Sequence, residues 1–393
     1  MKKKQKEIGV NMEFCAIICE FNPLHNGHAY LIKKAKELTN LPVICLMTGN
    51  FTQRGELAIL DKQIRAKHAI LSGADVVLEL PTIYSIGSAE IFASGAVRIL
   101  NNLSHVKYLV FGSECGDIEK LQNVSKFLLN NAKLINKHLK IALKTGKSYP
   151  AAIMQSIKNI DKKPEDILEI LDKPNNKLGV EYLKALYQYN SEIIPITIPR
   201  IGEEYNSDTI SEYSSASAIR SMIKIGNIKK IKNTVPNYVY NDIINTNKTT
   251  ALDNALLYNI RSAKLEDLHN TFDVNEGIEY KMLKTKQTDL PAFIEELKSK
   301  RYTHNRIRHI ILNHNFGITK DLMKNCKISQ PYCKILQIVD KNLLKYLKNG
   351  NCNIIFSNRD IKLLNAIQND IFSIDQRADL IYNIFVQQKR DVN

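Results

Sequence analysis

The sequence predicts an α/β protein, in which a parallel sheet with helices on both faces is followed by a mainly α-helical C-terminal region. Two patterns support this prediction. In the first half, short apolar runs typical of buried strands alternate with amphipathic segments typical of helices, as in strands joined by right-handed crossovers. From Ile223 onward the apolar residues recur at helical spacing, with long polar interruptions. At 393 residues the chain is long enough for two domains.

Each element is predicted from its own apolar pattern. The predicted strands are Phe14–Cys19, Val43–Met47, Ala74–Leu80, Tyr108–Phe111 and Ile194–Ile198. The helices predicted between and after them are His28–Leu38, Lys62–Leu71, Ala89–Leu100, Asp117–Asn130, Leu178–Tyr189 and Ser214–Met222. The helices predicted for the C-terminal part are Asn254–Ala263, Glu276–Lys286, Ala292–Leu297, Thr303–His314, Cys333–Leu347 and Asp360–Ile384. We therefore divide the chain into an N-terminal extension (1–11), an α/β domain (12–222) and a basic, mainly helical domain (223–393).

The most informative motif joins the first predicted strand to the first predicted helix. It reads Asn22-Pro-Leu-His25-Asn-Gly-His28 and delivers two imidazoles to the start of a helix. Unpaired N–H groups and the positive end of the helix dipole bind anions at such a start. Gly27 lets a bulky ligand approach the backbone. The pattern favours a triphosphate held for attack at its α-phosphorus. His-x-x-His also suits zinc, but a closed zinc site needs four ligands and no second pair lies nearby, so we predict no metal site.

Several further motifs follow in order and narrow the assignment. They are Met47-Thr-Gly-Asn-Phe-Thr-Gln-Arg-Gly-Glu56, Asp61-Lys-x-x-Arg65, Ser88-Ala-Glu-x-Phe-Ala93, Phe111-Gly-Ser-Glu114, Pro174-Asn-Asn-x-Leu-Gly-x-Glu-Tyr182 and Pro199-Arg-Ile-Gly202. Together with the His25–His28 motif, this set resembles the bacterial tRNA(Met) cytidine acetate ligase family, within the HxGH nucleotidyltransferase superfamily. The resemblance extends from about Met12 to the C-terminus. It implies a Rossmann-like nucleotidyltransferase domain that binds ATP and carries the catalytic site in residues 12–222.

The resemblance also implies the reaction and its partners. ATP and acetate would form acetyl-adenylate, whose acetyl group passes to N4 of the wobble cytidine of elongator tRNA(Met), giving N4-acetylcytidine. Mg²⁺ is expected to screen the triphosphate. His25 and His28 are expected to be the catalytic residues, because donors placed where charge develops are a large catalytic contribution. The residues expected to bind ATP are Ile18, Cys19, Glu20, Phe21, Asn22, Pro23, Leu24, His25, Asn26, Gly27, His28, Ala29, Tyr30, Leu31, Gly112, Asn175, Arg200, Ile201, Ser217 and Arg220.

Other candidate residues keep two interpretations open. Asn175 suits either a helix cap or an adenine contact. Ser217 and Arg220 lie in Ser214-Ser-Ala-Ser-Ala-Ile-Arg220, which resembles the superfamily's phosphate motif and is also an ordinary series of N-cap residues. Gln53, Arg54 and Glu56 are expected to shape either the acetate pocket or the approach of cytidine.

The positive charge is concentrated in the C-terminal part. Of the net charge of +15, +10 falls on residues 223–393, which favours a polyanionic partner. The densest basic segment, at 298–308, mixes arginines with an aromatic residue and resembles a similar stretch of the family. A solvated helix face is the alternative. The residues expected to contact tRNA are Lys300, Arg301, Tyr302, Arg306 and Arg308.

The remaining features favour a cytosolic enzyme. Seven cysteines without a Cys-x-x-Cys pair indicate reduced thiols, and the sequence has no apolar run of membrane-spanning length. We therefore expect a cytoplasmic location and no membrane partner. Two other functions remain open. One is a small-molecule adenylyltransferase of the HxGH class, which the basic C-terminal part disfavours. The other is an RNA-binding protein with a vestigial nucleotide fold.

Overall fold

The computed structural model describes residues 12–145, 147–201, 212–248 and 252–388. Nine strands are described: β1 (Phe14–Cys19), β2 (Val43–Thr48), β3 (Val76–Leu80), β4 (Val106–Ser113), β5 (Ile194–Pro199), β6 (Thr246–Lys248), β7 (Tyr332–Ile338), β8 (Asn353–Ile355) and β9 (Val386–Gln388). Seven of them form one sheet in the order β5-β4-β1-β2-β3-β7-β8, and β6 pairs with β9. The chain is therefore built around one main sheet.

The helices of residues 12–224 flank this sheet. They are α1 (Asn26–Thr39), α2 (Lys62–Leu71), α3 (Thr82–Ser85), α4 (Ala89–Asn102), α5 (Ile118–Asn130), α6 (Ala132–Lys144), α7 (Tyr149–Lys158), α8 (Ile167–Asp172), α9 (Pro174–Gln188) and α10 (Ala216–Lys224). All residues of β1, β2 and β3 are buried, as expected for parallel strands covered by helices on both faces.

The C-terminal part is mainly helical, as predicted. Its helices are α11 (Asn237–Ile244), α12 (Leu252–Ser262), α13 (Leu265–Asn270), α14 (Ile278–Lys284), α15 (Leu290–Leu297), α16 (His304–Phe316), α17 (Lys320–Cys326), α18 (Leu344–Leu347), α19 (Asn358–Ile361) and α20 (Ala366–Phe385), with short 3-10 turns at Ile228–Ile231 and Lys341–Leu343. Within the described ranges, every helix is too short or too polar to cross a lipid bilayer.

The strand order indicates where along the sheet a ligand would bind. β5, β4, β1, β2 and β3 run parallel, and the order reverses at β1, which lies between β4 and β2. In such sheets, ligands bind beyond the carboxyl ends of the strands at the point of reversal. The loop that carries His25 follows β1, so the sheet delivers the predicted motif to that point.

One predicted helix is wrong. The Cys333–Leu347 segment begins with β7, which pairs antiparallel with β3, and β8 then pairs parallel with β7. The apolar residues of Tyr332–Ile338 are compatible with a strand as well as with a helix, and pairing with the edge of β3 decides between them. Two strands from beyond residue 222 thus complete the sheet of the α/β part, and the proposed boundary at 222 stays a prediction.

A buried ion-pair cluster ties the last long helix to the sheet. The Lys62 ammonium lies 2.5 Å from a carboxylate oxygen of Glu79 on β3 and 2.6 Å from one of Asp379 on α20. The Asn50 amide also donates to the Asp379 carboxylate at 3.1 Å. Burial alone lowers the pKa of Lys62, but the two carboxylates raise it above its ordinary value, so the ammonium stays charged.

Candidate functional site

A cavity of about 610 Å³ opens at the carboxyl ends of β1, β4 and β5. Helices α1, α9 and α10 begin at its wall, and the loop after β2 adds two residues. From the predicted ATP-binding set, the residues that line this cavity are Ile18, Cys19, Glu20, Phe21, Asn22, His25, Gly27, His28, Tyr30, Leu31, Gly112, Asn175, Arg200, Ile201, Ser217 and Arg220. Folding therefore brings together residues that are as far apart in the sequence as Ile18 and Arg220.

Four residues of the predicted ATP-binding stretch lie outside the cavity lining: Pro23, Leu24, Asn26 and Ala29. Leu24 is fully buried and packs in the core beside β1, and Ala29 packs against the same core. Asn26 points away, since its amide donates to the main-chain oxygens of Glu212 at 3.1 Å and Asn233 at 2.9 Å. Asn26 thus holds the start of α1 against the segments that precede and follow α10.

His25 serves as the N-cap of α1. Its Nδ1 accepts from the Gly27 N–H at 3.1 Å, and the His25 N–H donates to Nδ1 of His28 at 3.4 Å. The two imidazole rings stack with centroids 3.7 Å apart. Because Nδ1 of His25 accepts a hydrogen bond, the proton of the neutral ring lies on Nε2, which remains a donor.

Both imidazoles are held neutral. Burial lowers the pKa of His25 well below its ordinary value, and neighbouring cations act in the same direction. Burial also lowers the pKa of His28 to about 3, again with a contribution from Arg200. A neutral imidazole still donates a hydrogen bond, so the pair offers donors without adding charge to the protein.

Glu114 fixes the side of the cavity formed by β4 and α9. Its carboxylate accepts from the Asn175 N–H at 3.2 Å, the Asn175 side-chain amide at 2.6 Å and the Asn176 N–H at 2.7 Å. The Arg200 guanidinium then donates to Oδ1 of Asn175 at 3.4 Å. These bonds set the amide orientation, so Asn175 is held in place by neighbours on two other loops.

Arg220 links α10 to the loop after β1. It donates to the main-chain oxygen of Asn22 at 2.9 Å and to Oγ of Ser217 at 3.1 Å. Ser215 caps α10 by accepting from the Ala218 N–H at 3.2 Å. Two helix starts, those of α1 and α10, therefore face the same cavity, and both favour anions.

Sequence reasoning missed several lining residues. Three aromatic residues, Phe92, Phe111 and Tyr182, also line the cavity. Asn305 lines it from α16, in the C-terminal part of the chain. The aromatic residues lie in or beside quoted motifs and were therefore accessible to the prediction. Nothing local marks Asn305, because its role depends on how α16 packs. Gln53 and Arg54 line the cavity, as the acetate-pocket interpretation requires, and the alternative of a cytidine approach stays open.

The predicted tRNA-contacting residues fall into two groups. Lys300 and Arg301 are exposed, although Arg301 pairs with Glu276 at 2.6 Å. Tyr302 is buried and bonds Asn275, while Arg306 lies over its ring and pairs with Asp273 at 2.7 Å. Arg308 donates to the main-chain oxygen of Gly55 at 3.0 Å. In this arrangement Tyr302 presents no ring face to a nucleotide, and tRNA contact by the segment stays a prediction.

The strand, loop and helix geometry with paired imidazoles defines a nucleotidyltransferase-type site. A family model described as HIGH Nucleotidyl Transferase matches residues 12–393, so the chain belongs to that family. More particularly, it belongs to the tRNA(Met) cytidine acetate ligase family, and is thus an enzyme of the ligase class. A relative of that name from Thermosipho africanus is 37% identical over 380 residues, covering 93% of this chain and 89% of its own. Another from Clostridium perfringens is 37% identical, with 95% of each chain covered.

Two solved structures share the fold. Apo Thermotoga maritima TmcAL superposes with a TM-score of 0.85 at 29% identity, and 95% of each chain is covered. The same protein bound with alpha-thio ATP gives a TM-score of 0.83, with the same identity and coverage. The likeness spans both the α/β part and the helical part, so the predicted fold class is confirmed.

Proposed function

We propose that this chain acetylates the wobble cytidine of elongator tRNA(Met), using ATP and acetate. The observation that carries the proposal is the neutral, stacked His25–His28 pair at the start of α1, inside a cavity that also contains Arg200 and Arg220. Family membership and the nucleotide-bound relative support the same reaction.

The first half-reaction activates acetate. A carboxylate oxygen attacks the α-phosphorus, the bond from that phosphorus to the bridging oxygen breaks, and pyrophosphate leaves with the electron pair. His25 and His28 stabilise the charge that develops on the phosphate oxygens, since preorganised donors act strongly in a buried site. Arg220 and Ser217, at the start of α10, hold the departing phosphates.

The second half-reaction transfers the acetyl group. N4 of cytidine attacks the carbonyl carbon of acetyl-adenylate, the bond to the phosphate oxygen breaks, and AMP leaves with the electron pair. The amine proton passes to water, so we assign no general base. A wobble base must leave its stack to enter a cavity, and the net charge of residues 223–393 suits the backbone that carries it.

We propose that Mg²⁺ binds together with ATP. Among the described residues, no group of three His, Cys, Asp or Glu side chains is placed to hold a metal ion. These described residues provide no cage of carboxylates or imidazoles, and Mg²⁺ bound to ATP is held mainly by phosphate oxygens and water. We derive no catalytic step through the ion.

Acetate-dependent exchange of pyrophosphate into ATP tests the first half-reaction. We expect exchange with acetate, ATP and labelled pyrophosphate in the absence of tRNA, because activation precedes the RNA step. Exchange that requires a phosphorylated cofactor precursor would favour a small-molecule adenylyltransferase. Absence of exchange under both conditions would favour a binding protein and would contradict the proposal.

Labelled acetate and a total tRNA pool test the second half-reaction. We expect label in one tRNA species, as N4-acetylcytidine at the wobble position of elongator tRNA(Met). Label spread over many tRNAs, or placed at another nucleoside, would contradict the assigned substrate.

A further inference from the structure

The loop after β2 is a closed turn that points into the cavity. Phe51 and Leu57 pair as an isolated bridge, and the Thr52 N–H donates to the Glu56 oxygen at 3.0 Å. The tip of this loop, defined as residues 51–57, places Gln53 and Arg54 in the cavity lining. Main-chain hydrogen bonds within the loop therefore define its shape.

Helix α16 holds the loop from the C-terminal side. Nε2 of His309 lies 2.7 Å from the main-chain oxygen of Gln53. Nε of Arg308 donates to the main-chain oxygen of Gly55 at 3.0 Å. Burial lowers the pKa of His309, so the ring is a neutral donor. Phe51 also meets Phe316 of α16, edge to face, with centroids 4.8 Å apart.

Gly55 allows the main chain of the loop to approach α16 closely. Its φ of +72° lies in the left-handed region that favours glycine. A Cβ at this position would lie 3.1 Å from Cδ1 of Leu312 and 3.2 Å from Cγ of Arg308. The main chain of the loop therefore rests directly on the helix.

The loop is held from the cavity side as well. The Gln53 N–H donates to the Glu20 carboxylate at 2.6 Å, and Nε2 of Gln53 donates to the Gly87 oxygen at 3.2 Å. Glu56 lies 3.8 Å from the Arg220 guanidinium. With bonds on both sides, loop 51–57 is a fixed wall, and its position depends on α16.

The position of the loop in the sheet order suggests its ligand. Asn175, the candidate adenine contact, and Gly112, which is expected to bind ATP, lie on the β4 side of β1. Loop 51–57 follows β2, on the opposite side of β1. A group bound by this loop would thus approach the phosphate site from the side away from adenosine.

Charge points to an anion at the same place. Arg54 and Arg220 both line the cavity, so two guanidinium groups border the same space, and Glu56 lies 3.8 Å from that of Arg220. A carboxylate that must approach a triphosphate is repelled unless cations lie between them. A guanidinium also matches the two oxygens of a carboxylate.

We propose that loop 51–57 forms the subsite for the carboxylate of the acid substrate. In this subsite Arg54 binds the carboxylate, and Arg308 and His309 are positioning residues that fix the loop. The inference rests on the proposed function, because it concerns the acid that attacks the α-phosphorus. It gives α16 a role in the first half-reaction, which does not involve RNA.

Steady-state exchange kinetics without tRNA test Arg54. We expect Arg54→Gln to raise the KM for acetate about tenfold or more, while the KM for ATP changes less than about threefold. Arg54→Lys should recover part of the loss, since it keeps the charge without the fork. An equal or larger rise in the KM for ATP would place Arg54 on the phosphates, and unchanged kinetics would remove it from the site. Either result would overturn the proposal.

Paired variants on α16 test the positioning role. His309→Leu removes the donor, whereas His309→Gln keeps an N–H near the position of Nε2. We expect the Leu variant to raise the KM for acetate several-fold and the Gln variant to restore it. His304→Ala, an exposed histidine on the same helix, is the matched control and should behave as wild type.

The result separates this inference from the proposed function. If wild-type protein shows no acetate-dependent exchange, the function fails, whatever the variants do. If wild type is active and His309→Leu has a normal acetate KM at an unchanged unfolding temperature, only the positioning role is wrong.

Discussion

At the residue scale, the His25–His28 pair is defined by hydrogen bonds to the main chain. His25 caps α1, and its own N–H donates to His28, so each imidazole is oriented by the backbone that carries the other. Burial keeps both rings neutral, although they stack within 3.7 Å. Two cationic rings would repel at that distance, so neutrality is a condition for the arrangement.

We predict that His28→Ala lowers acetate-dependent pyrophosphate exchange by about 100-fold or more, because one preorganised donor at the reacting phosphate is removed. Affinity for tRNA, measured by filter binding, should stay close to wild type. Lys33→Ala, an exposed residue on the same helix, is the control and should retain full exchange. Normal exchange by His28→Ala would contradict the assigned role.

The lowered pKa values predict how these histidines titrate. The imidazole signals of His25 and His28 in NMR spectra should stay in the neutral position from about pH 8 to about pH 5, where an ordinary histidine protonates. A depressed histidine pKa also makes the folded state lose stability as the pH falls below about 6.5, since only the unfolded chain gains those protons. His28→Gln should identify one signal. Titration of both signals near pH 6.5 would contradict the burial argument.

The sequence predicted the residues of this pair but not all of their surroundings. The motif spacing placed His25, Gly27 and His28 at a helix start, as found. The segment 298–308 shows the limit of such reasoning, because Tyr302 and Arg306 look like a nucleic-acid surface in sequence. In the structure they pair with Asn275 and Asp273 of another loop, which no local pattern indicates.

At the element scale, α9 is positioned by a close approach to β4. A Cβ at Gly179 would lie 2.6 Å from Cε2 of Phe111, so only glycine lets the helix pack at this distance. The N-terminus of α9 carries Asn175, which contacts Glu114 and Arg200. The packing of the helix and the geometry of the cavity are therefore linked.

We predict that Gly179→Ala lowers the free energy of unfolding by about 1–3 kcal/mol, because overpacking displaces α9 or Phe111. The KM for ATP in the exchange assay should rise with it, since Asn175 moves with the helix. Gln188→Ala, on the exposed end of the same helix, should change neither quantity. A destabilised variant with a normal ATP KM would show that α9 does not set the nucleotide contacts.

Elements with a partner close in sequence were the easiest to predict. Strands β1 and β2 and helix α2 match their predicted ranges within one residue, because burial between helices leaves a clear apolar pattern. β7 was predicted as a helix because its identity depends on β3, which lies some 250 residues earlier. The apolar residues of β7 fit the spacing of a strand as well as that of a helix, and no local sequence pattern indicates that this segment pairs with β3.

At the scale of the whole molecule, the two parts of the chain share one sheet and one buried charge cluster. β7 extends the sheet beyond β3, and α20 brings Asp379 to Lys62 and Glu79. Loop 51–57 adds a third connection through α16. The structure therefore gives no reason for the α/β part to unfold independently of the C-terminal part.

Removing the central cation of the cluster tests this connection. We predict that Lys62→Met lowers the free energy of unfolding by about 3–5 kcal/mol, because Glu79 and Asp379 are left without their buried counter-ion. Lys36→Met is the matched control, since Lys36 pairs with Asp75 at the surface and should contribute at most about 1 kcal/mol. Calorimetry and circular dichroism should report one transition in both variants, with amides of β3 and α20 exchanging hydrogen together. Two separated transitions, or early exchange confined to α20, would show that the C-terminal helix is not part of the same cooperative unit.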